Sequence, residues 1–229
     1  KHQPRAFFLE NVKGLAIHDK GRTLKTILGH LDDAGYDVVP PQILNAMDFG
    51  VPQHRERIYI IGFRKNLHIN TANFHYPEPQ TKGENRPRFR DVMENEVPSV
   101  KYYLSTTYVE TLKRHRARHE AAGHGFGYEI IDTDGVANAI VVGGMGRERN
   151  LLIDKRLKDF TPITNIKGEV NREGIRRMTP REWARLQGFP DKFKIVVADA
   201  SAYKQFGNSV AIPAIQATAE KELQMLGII

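Results

Sequence analysis

Four sets of residues could do chemistry. Glu10 closes a short apolar run, Arg5-Ala6-Phe7-Phe8-Leu9. A carboxylate at the carboxyl end of a buried strand stands where open α/β sheets place ligand groups, and it could equally be a strand-end partner for a basic side chain. Arg55 and Arg57 are two apart, so an extended segment puts them on one face. Each guanidinium can give two hydrogen bonds to a ring oxygen or a phosphate, or the pair can be solvated at a sheet edge. Asn208-Ser209-Val210 reads as a helix start, where free N–H groups and a capping side chain meet. Two glycine-rich stretches, 123–128 and 143–150, are flanked by basic residues. Residues 101–128 and 147–158 each hold five Lys or Arg against two acidic residues, a balance suited to phosphate contacts. His115 and His119 are four apart on a basic helix. Their cationic neighbours, and the lack of a third ligand at motif spacing, argue against a metal.

The elements that must position these groups alternate. After the first strand, Leu24, Ile27, Leu28 and Leu31 mark one face of a helix that Gly35 stops. Val38–Leu44 reads as a strand shortened by Pro40 and Pro41, and Ile58–Phe63 as another. Strand, helix and strand with short joins predict an α/β sheet. The texture changes near residue 64 into polar, turn-rich sequence. A helix is predicted over 106–122 and a strand over 139–142. Thr179-Pro180-Arg181-Glu182 is a capping-box helix start, with Trp183 and Leu186 on its buried side. A last helix is predicted from Ser209. The expected division is 1–64, part of a catalytic domain; 65–175, a small basic domain; and 176–229, a connecting helix and a C-terminal helix returning to the first part.

Composition limits the chemistry. The formal net charge of +7 favours an anionic partner, nucleic acid first. No apolar run approaches the ~20 residues of a membrane span, so no membrane partner is expected and a cytoplasmic setting is the default. There is no cysteine. Disulfides, thiolate metal sites and a cysteine nucleophile from this chain are therefore excluded.

Four segments taken together identify a family. They are Glu10-Asn11-Val12, the stretch Phe49 to Arg57 with its Pro52-Gln53-His54-Arg55-Glu56-Arg57, the stretch Arg177 to Asp191, and Tyr203-Lys204-Gln205-Phe206-Gly207-Asn208-Ser209-Val210. In order, wording and spacing they resemble the C5-cytosine DNA methyltransferases, bacterial modification methylases above all. The resemblance implies a partial doubly wound α/β methyltransferase sheet with a small, irregular, mainly-β target-recognition domain inserted. It implies methylation of cytosine C5 at a specific site in duplex DNA, with base flipping, in a restriction–modification system. S-adenosylmethionine is the implied methyl donor.

Residue by residue, the resemblance places Glu10 on N3 of the flipped cytosine and Arg57 on O2, with Arg55 supporting them and Gln53 orienting the loop. Asn208, Ser209, Val210 and Phe189 fall on the cofactor side. Gly125, Phe126, Gly127 and Tyr128, with Arg147, Arg149 and Asn150, become duplex-reading loops; the bland alternative is ordinary hairpin turns. Trp183 stands where many relatives carry cysteine. The family's upstream glycine turn and Pro-Cys loop are not in this sequence. The expected partners are therefore duplex DNA and either a missing N-terminal segment or a second subunit bearing the cysteine. The alternative is a non-catalytic DNA-binding or regulatory subunit.

Overall fold

A computed structural model describes residues 2–125, 127–143, 146–163 and 168–229. In chain order the regular elements begin with β1 (Ala6–Val12), α1 (Arg22–Asp33), β2 (Tyr36–Val38), β3 (Gln42–Asn45), β4 (Gln53–His54) and β5 (Glu56–Arg64). They continue with α2 (Thr106–Ala121), β6 (Ala137–Asn138), β7 (Leu151–Ile153) and β8 (Ile175–Arg177). Three helices close the chain: α3 (Pro180–Leu186), α4 (Asp199–Asn208) and α5 (Ile212–Met225).

Two compact units share these elements. The first comprises residues 1–50, 55–85 and 212–229, the second 51–54 and 86–211. The change of texture at residue 64 therefore does not coincide with a packing boundary. Residues 65–85 stay with the first unit because Phe74 packs on Phe63 and the Tyr76 hydroxyl donates to the Tyr59 carbonyl at 3.0 Å. Residues 176–211 belong to the second, because Trp183, Leu186, Tyr203 and Phe206 share a core with Phe89, Ile140 and Leu152.

In the first unit β5 is the central strand, with β1 on one side and β2 and β3 on the other, all antiparallel to it. β1 and β2 consequently run the same way, joined through α1, so the sheet is mixed and its helical crossover makes it α/β. β5 reads as an unbroken apolar run because it is covered throughout: Ile58, Tyr59, Ile60, Ile61 and Phe63 are all buried. The strand expected to be buried on both faces, β1, is only half-buried, and Leu9 and Val12 are exposed. Pro40 and Pro41 split the predicted 38–44 strand into β2 and β3, since proline cannot donate to the ladder.

The second unit is built on short strands and side-chain ties. β4 pairs in parallel with β6, and β7 pairs with β8. The predicted strand over 139–142 does not form. The Ile140 N–H donates to the Gln53 side chain at 3.0 Å, and Val141 and Val142 are exposed. The capping box of α3 is realised: the Thr179 side chain accepts from the Glu182 N–H, and Glu182 accepts from the Thr179 N–H. The predicted helix from Ser209 is displaced. α4 runs through Asn208, Ser209 is its C-terminal cap, and α5 begins at Ile212.

An ion network crosses this second unit. Arg176, fully buried, donates through Nε to Asp154 at 2.9 Å and through both terminal nitrogens to Glu182 at 2.8 Å. Asp154 also accepts from the Arg156 side chain at 2.9 and 2.8 Å. Arg156 in turn donates to the Glu94 and Asn95 carbonyls. The network fastens β8, α3 and the turn-rich stretch near residue 95 into one frame. Glu182 caps its own helix with the same carboxylate that holds Arg176, which explains its burial.

Candidate functional site

β1 and β5 build the first group of site residues. Their register sets Glu10 opposite Tyr59. Cross-strand partners share a face, and so do residues two apart. Glu10, Tyr59 and Arg57 therefore lie on one side of the sheet. The Glu10 carboxylate meets Arg57 Nε at 3.1 Å, both side chains being largely covered. A strand-end ion pair was one of the two readings of Glu10; its partner is the arginine that the other reading also requires.

Arg55 lies against the same pair. Its backbone is clamped: the N–H donates to the Asn45 side chain at 3.1 Å and the carbonyl accepts from the Ala46 N–H at 3.0 Å. Burial, reinforced by the neighbouring Arg57 charge, lowers its pKa to about 10, against the opposing pull of Glu10. Burial and the Glu10 charge raise the Tyr59 phenol to about 12, so it stays a neutral donor at pH 7. A carboxylate and a guanidinium on a covered sheet face, with a second guanidinium beside them, form a site that can hold a planar polar ring and offset charge developing on it.

The loop before β5 is fixed by Gln53, which is fully buried. Its Nε2 donates to the Leu186 carbonyl at 2.8 Å and to Gln187 Oε1 at 3.2 Å, and its Oε1 accepts from Ile140. Every polar atom of the amide thus ties separate segments of the second unit together.

At the second group, Asn208 is exposed, and Ser209 and Val210 are half-buried. Because α4 ends here, the segment offers carbonyls at the negative end of a helix, not free N–H groups. Gln187 Nε2 already occupies the Phe206 carbonyl at 2.8 Å and approaches that of Ser209 at 3.3 Å. Phe189 is half-buried against Phe193 and Phe206, with ring centroids at 4.8 and 5.3 Å.

The glycine-rich stretches converge. A cavity of about 500 Å³ is lined by Gly125 and Gly127 from one, Gly143 and Gly146 from the other, and His115 and His119 from α2. Arg149 reaches the same cavity. Phe126 lies outside the described residues. Tyr128 carries the Arg116 guanidinium over its ring at 5.6 Å, and Arg147 lies over the Tyr203 ring at 5.5 Å. Asn150 requires correction: it is fully buried, its Oδ1 accepts from the Asn138 N–H and its Nδ2 donates to the Asn138 carbonyl. Its amide is committed within the fold and is not presented to a base edge.

Two residues passed over in the sequence are prominent here. Glu148, between Arg147 and Arg149, is buried and accepts from Arg177 at 2.8 Å and from the Tyr108 hydroxyl at 3.2 Å. It anchors the arginine loop to β8 and α2. The sequence signal was its sign, a lone acid between two arginines. Arg176 carried no signal beyond its charge: one partner, Asp154, is 22 positions away, and the other, Glu182, is marked in the sequence only as a helix-capping residue.

A family model described as C-5 cytosine-specific DNA methylase matches residues 1–224. The chain is 68% identical over 228 residues to the type II methyltransferase M.HpaII of Haemophilus parainfluenzae, covering 99% of this chain and 62% of that protein. To M1.ScrFI of Lactococcus lactis subsp. cremoris it is 41% identical over 224 residues, 98% of this chain and 53% of the relative. It therefore spans between half and two thirds of the length of these relatives. Among solved structures, the S. pombe Dnmt2 methyltransferase is similar with a TM-score of 0.68 at 19% identity, covering 98% of this chain and 68% of that one. The Entamoeba histolytica methyltransferase EhMeth gives 0.68 at 19% identity, covering 97% and 63%.

Proposed function

The chain belongs to the C-5 cytosine-specific DNA methylase family, and from that premise we propose that it is the base-holding and duplex-reading part of a cytosine-5 DNA methyltransferase of a bacterial restriction–modification system. The observation that carries this reading is the pairing of Glu10 with Arg57 across β1 and β5, with Arg55 buried beside them.

Cytosine C5 is a poor nucleophile. Adding a nucleophile at C6 makes C5 enamine-like but loads the ring with electron density. Glu10 serves N3, as the acid that shares or donates a proton while that density develops. Arg57 directs donors to O2, and Arg55 keeps the face cationic. Arg57 also orients Glu10 before the base arrives. The thiolate that attacks C6 must come from outside these 229 residues, which contain no cysteine. A target base reaches such a site only after leaving the duplex stack.

S-adenosylmethionine, when bound, supplies the methyl group. The exposed Asn208 amide can donate and accept, and the carbonyl-bearing end of α4 favours a ligand that carries a cation and N–H donors. Ser209, Val210 and Phe189 would complete that side. The recognition role falls to the stretch from 86 to 175, including Gly125, Gly127, Tyr128, Arg147 and Arg149. Duplex DNA is the partner, and the cytoplasm the setting.

The decisive experiment supplies a fragment bearing a Pro-Cys loop and follows methyl transfer from labelled S-adenosylmethionine to duplex DNA. Transfer is expected from the mixture. A mixture that binds DNA and cofactor yet transfers no methyl group refutes the enzymatic role and favours a regulatory subunit.

A further inference from the structure

Among the described residues, the polar side chains that line the cavity between the glycine-rich stretches are His115, His119 and Arg149. Arg149 only donates. His115 and His119 lie one turn apart on α2, their rings tilted by 48° with centroids 4.4 Å apart. The Nδ1 atom of His115 is buried and has no hydrogen-bond partner among the described residues. Burial, then the electrostatic influence of His115, Arg118 and His124, holds the His119 pKa below its ordinary value. A neutral imidazole presents one N–H and one lone pair, which is the equipment for reading a base edge, whereas a phosphate is met by fixed cations. A Cβ on Gly143 would meet nothing within 4 Å and would project into open space, and Gly143 itself has φ +88°. The volume of about 500 Å³ falls within the range of about 300–1,000 Å³ typical of ligand pockets.

We infer that His115 and His119 are specificity-determining residues, which with Arg149 take the major-groove edge of a guanine in the cavity between the two glycine loops. Guanine fits because its N7 and O6 both accept, matching a donor-rich set. The inference rests on the DNA-reading role proposed above and adds to it residues of helix α2, outside the loops. His115 and His119 act here as readers of sequence, in contrast to Arg116 and Arg118 on the same helix, whose fixed charge suits phosphate.

The test uses the chain itself. A library of randomised duplexes yields its preferred site, and binding is then measured on that site, its single-base variants and a non-specific duplex. His115→Asn and His119→Asn are expected to keep non-specific affinity and the salt dependence. Their discrimination at one guanine position is expected to fall by roughly 5–100-fold. Replacing that guanine with 7-deazaguanine, which removes the N7 acceptor, is expected to weaken binding by the unaltered chain and to leave the variants unaffected. The 7-deazaguanine measurement on the unaltered chain needs no variant to fold. Unchanged base preference in folded variants, or no guanine at which the 7-deaza change matters, overturns the inference. A salt slope reduced by about 0.9 per histidine would instead make them phosphate contacts. If the unaltered chain prefers a sequence but ignores both histidine changes, only this inference falls; if it binds no duplex, the DNA-reading role falls with it.

Discussion

Replacing Asp154 with Asn tests whether the buried ion network, and not apolar packing alone, holds the second unit together. Asp154 is almost fully buried, with Arg176 Nε at 2.9 Å and the Arg156 terminal nitrogen at 2.8 Å. Burial by itself would raise its pKa; the hydrogen bonds and charges of Arg156 and Arg176 outweigh that and hold it at about 2, below the ordinary 3.8. A folded-state pKa depressed in this way contributes stability that is complete above pH 3.8 and is lost as pH falls through about 2. At about 1.4 kcal/mol per unit, the contribution is about 2 kcal/mol. The asparagine also turns an amide N–H₂ towards a guanidinium, which leaves a buried donor unmatched at a further 1–3 kcal/mol or so. The expected loss at pH 7 is therefore about 3–5 kcal/mol, the range found when one partner of a buried pair is removed.

Trp183 makes this measurable. It is the chain's single tryptophan and is buried in the second unit, edge-on to Tyr203 at 4.9 Å. Its fluorescence reports unfolding of that unit under urea. Asp154→Asn should lower the melting temperature by on the order of 10 °C. The gap between the two proteins should narrow as pH is taken from 4 to 2, because protonation removes from the parent what the mutation removed already. A loss under about 1 kcal/mol at pH 7, or a gap that stays constant across that range, would refute the assignment.

Other consequences follow from single contacts. A Cβ on Gly207 would stand 2.6 Å from Val142 Cγ2 and 3.2 Å from the Trp183 ring, so Gly207→Ala should destabilise by about 1–3 kcal/mol; an unshifted Trp183 melt would contradict it. Gln53→Leu strands the Leu186 carbonyl and the Ile140 N–H, at about 1–3 kcal/mol for each buried group, again read by urea unfolding. In the reconstituted enzyme, Arg57→Ala should reduce methyl transfer by about 10²–10³-fold and Glu10→Gln by about 10²–10⁴-fold, with cofactor binding kept. Unimpaired turnover removes those roles. Arg147→Ala should weaken binding to all duplexes alike and lower the salt slope by about 0.9, checked by titration at several salt concentrations.

What the sequence discloses depends on whether the cause of a structure lies nearby along the chain. The capping box of α3, the stop of α1 at Gly35 and the break at Pro40-Pro41 are local and could be read directly. The face that i, i+2 spacing predicts for Arg55 and Arg57 presumes one continuous strand, and Arg55 stands between β4 and β5. The failures all involve a distant partner. Ala139–Val142 has a strand's composition, but its backbone is claimed by Gln53, 87 positions away. Asn150 has the donor–acceptor pair a base reader needs, and that same pair equally suits the Asn138 backbone. Ser209 suits a helix start, yet the helix continues to Asn208 because Gly207 fits where any side chain would strike Trp183 and Val142. The start signal that counted was Pro213, in the first turn of α5.

The candidate site shows the same division, and it separates two kinds of evidence. The types of Glu10 and Arg57 pointed to charge handling at a strand end, but types alone could not say that the two meet. That required the β1–β5 register, a pairing of residues nearly 50 positions apart that the motifs themselves do not contain. A one-residue slip of β1 would send Glu10 to the opposite face and break the pair while leaving every motif intact. The pairing of β1 with β5 is therefore as much a condition of the proposed chemistry as the carboxylate: it decides which side of the sheet the charge is on.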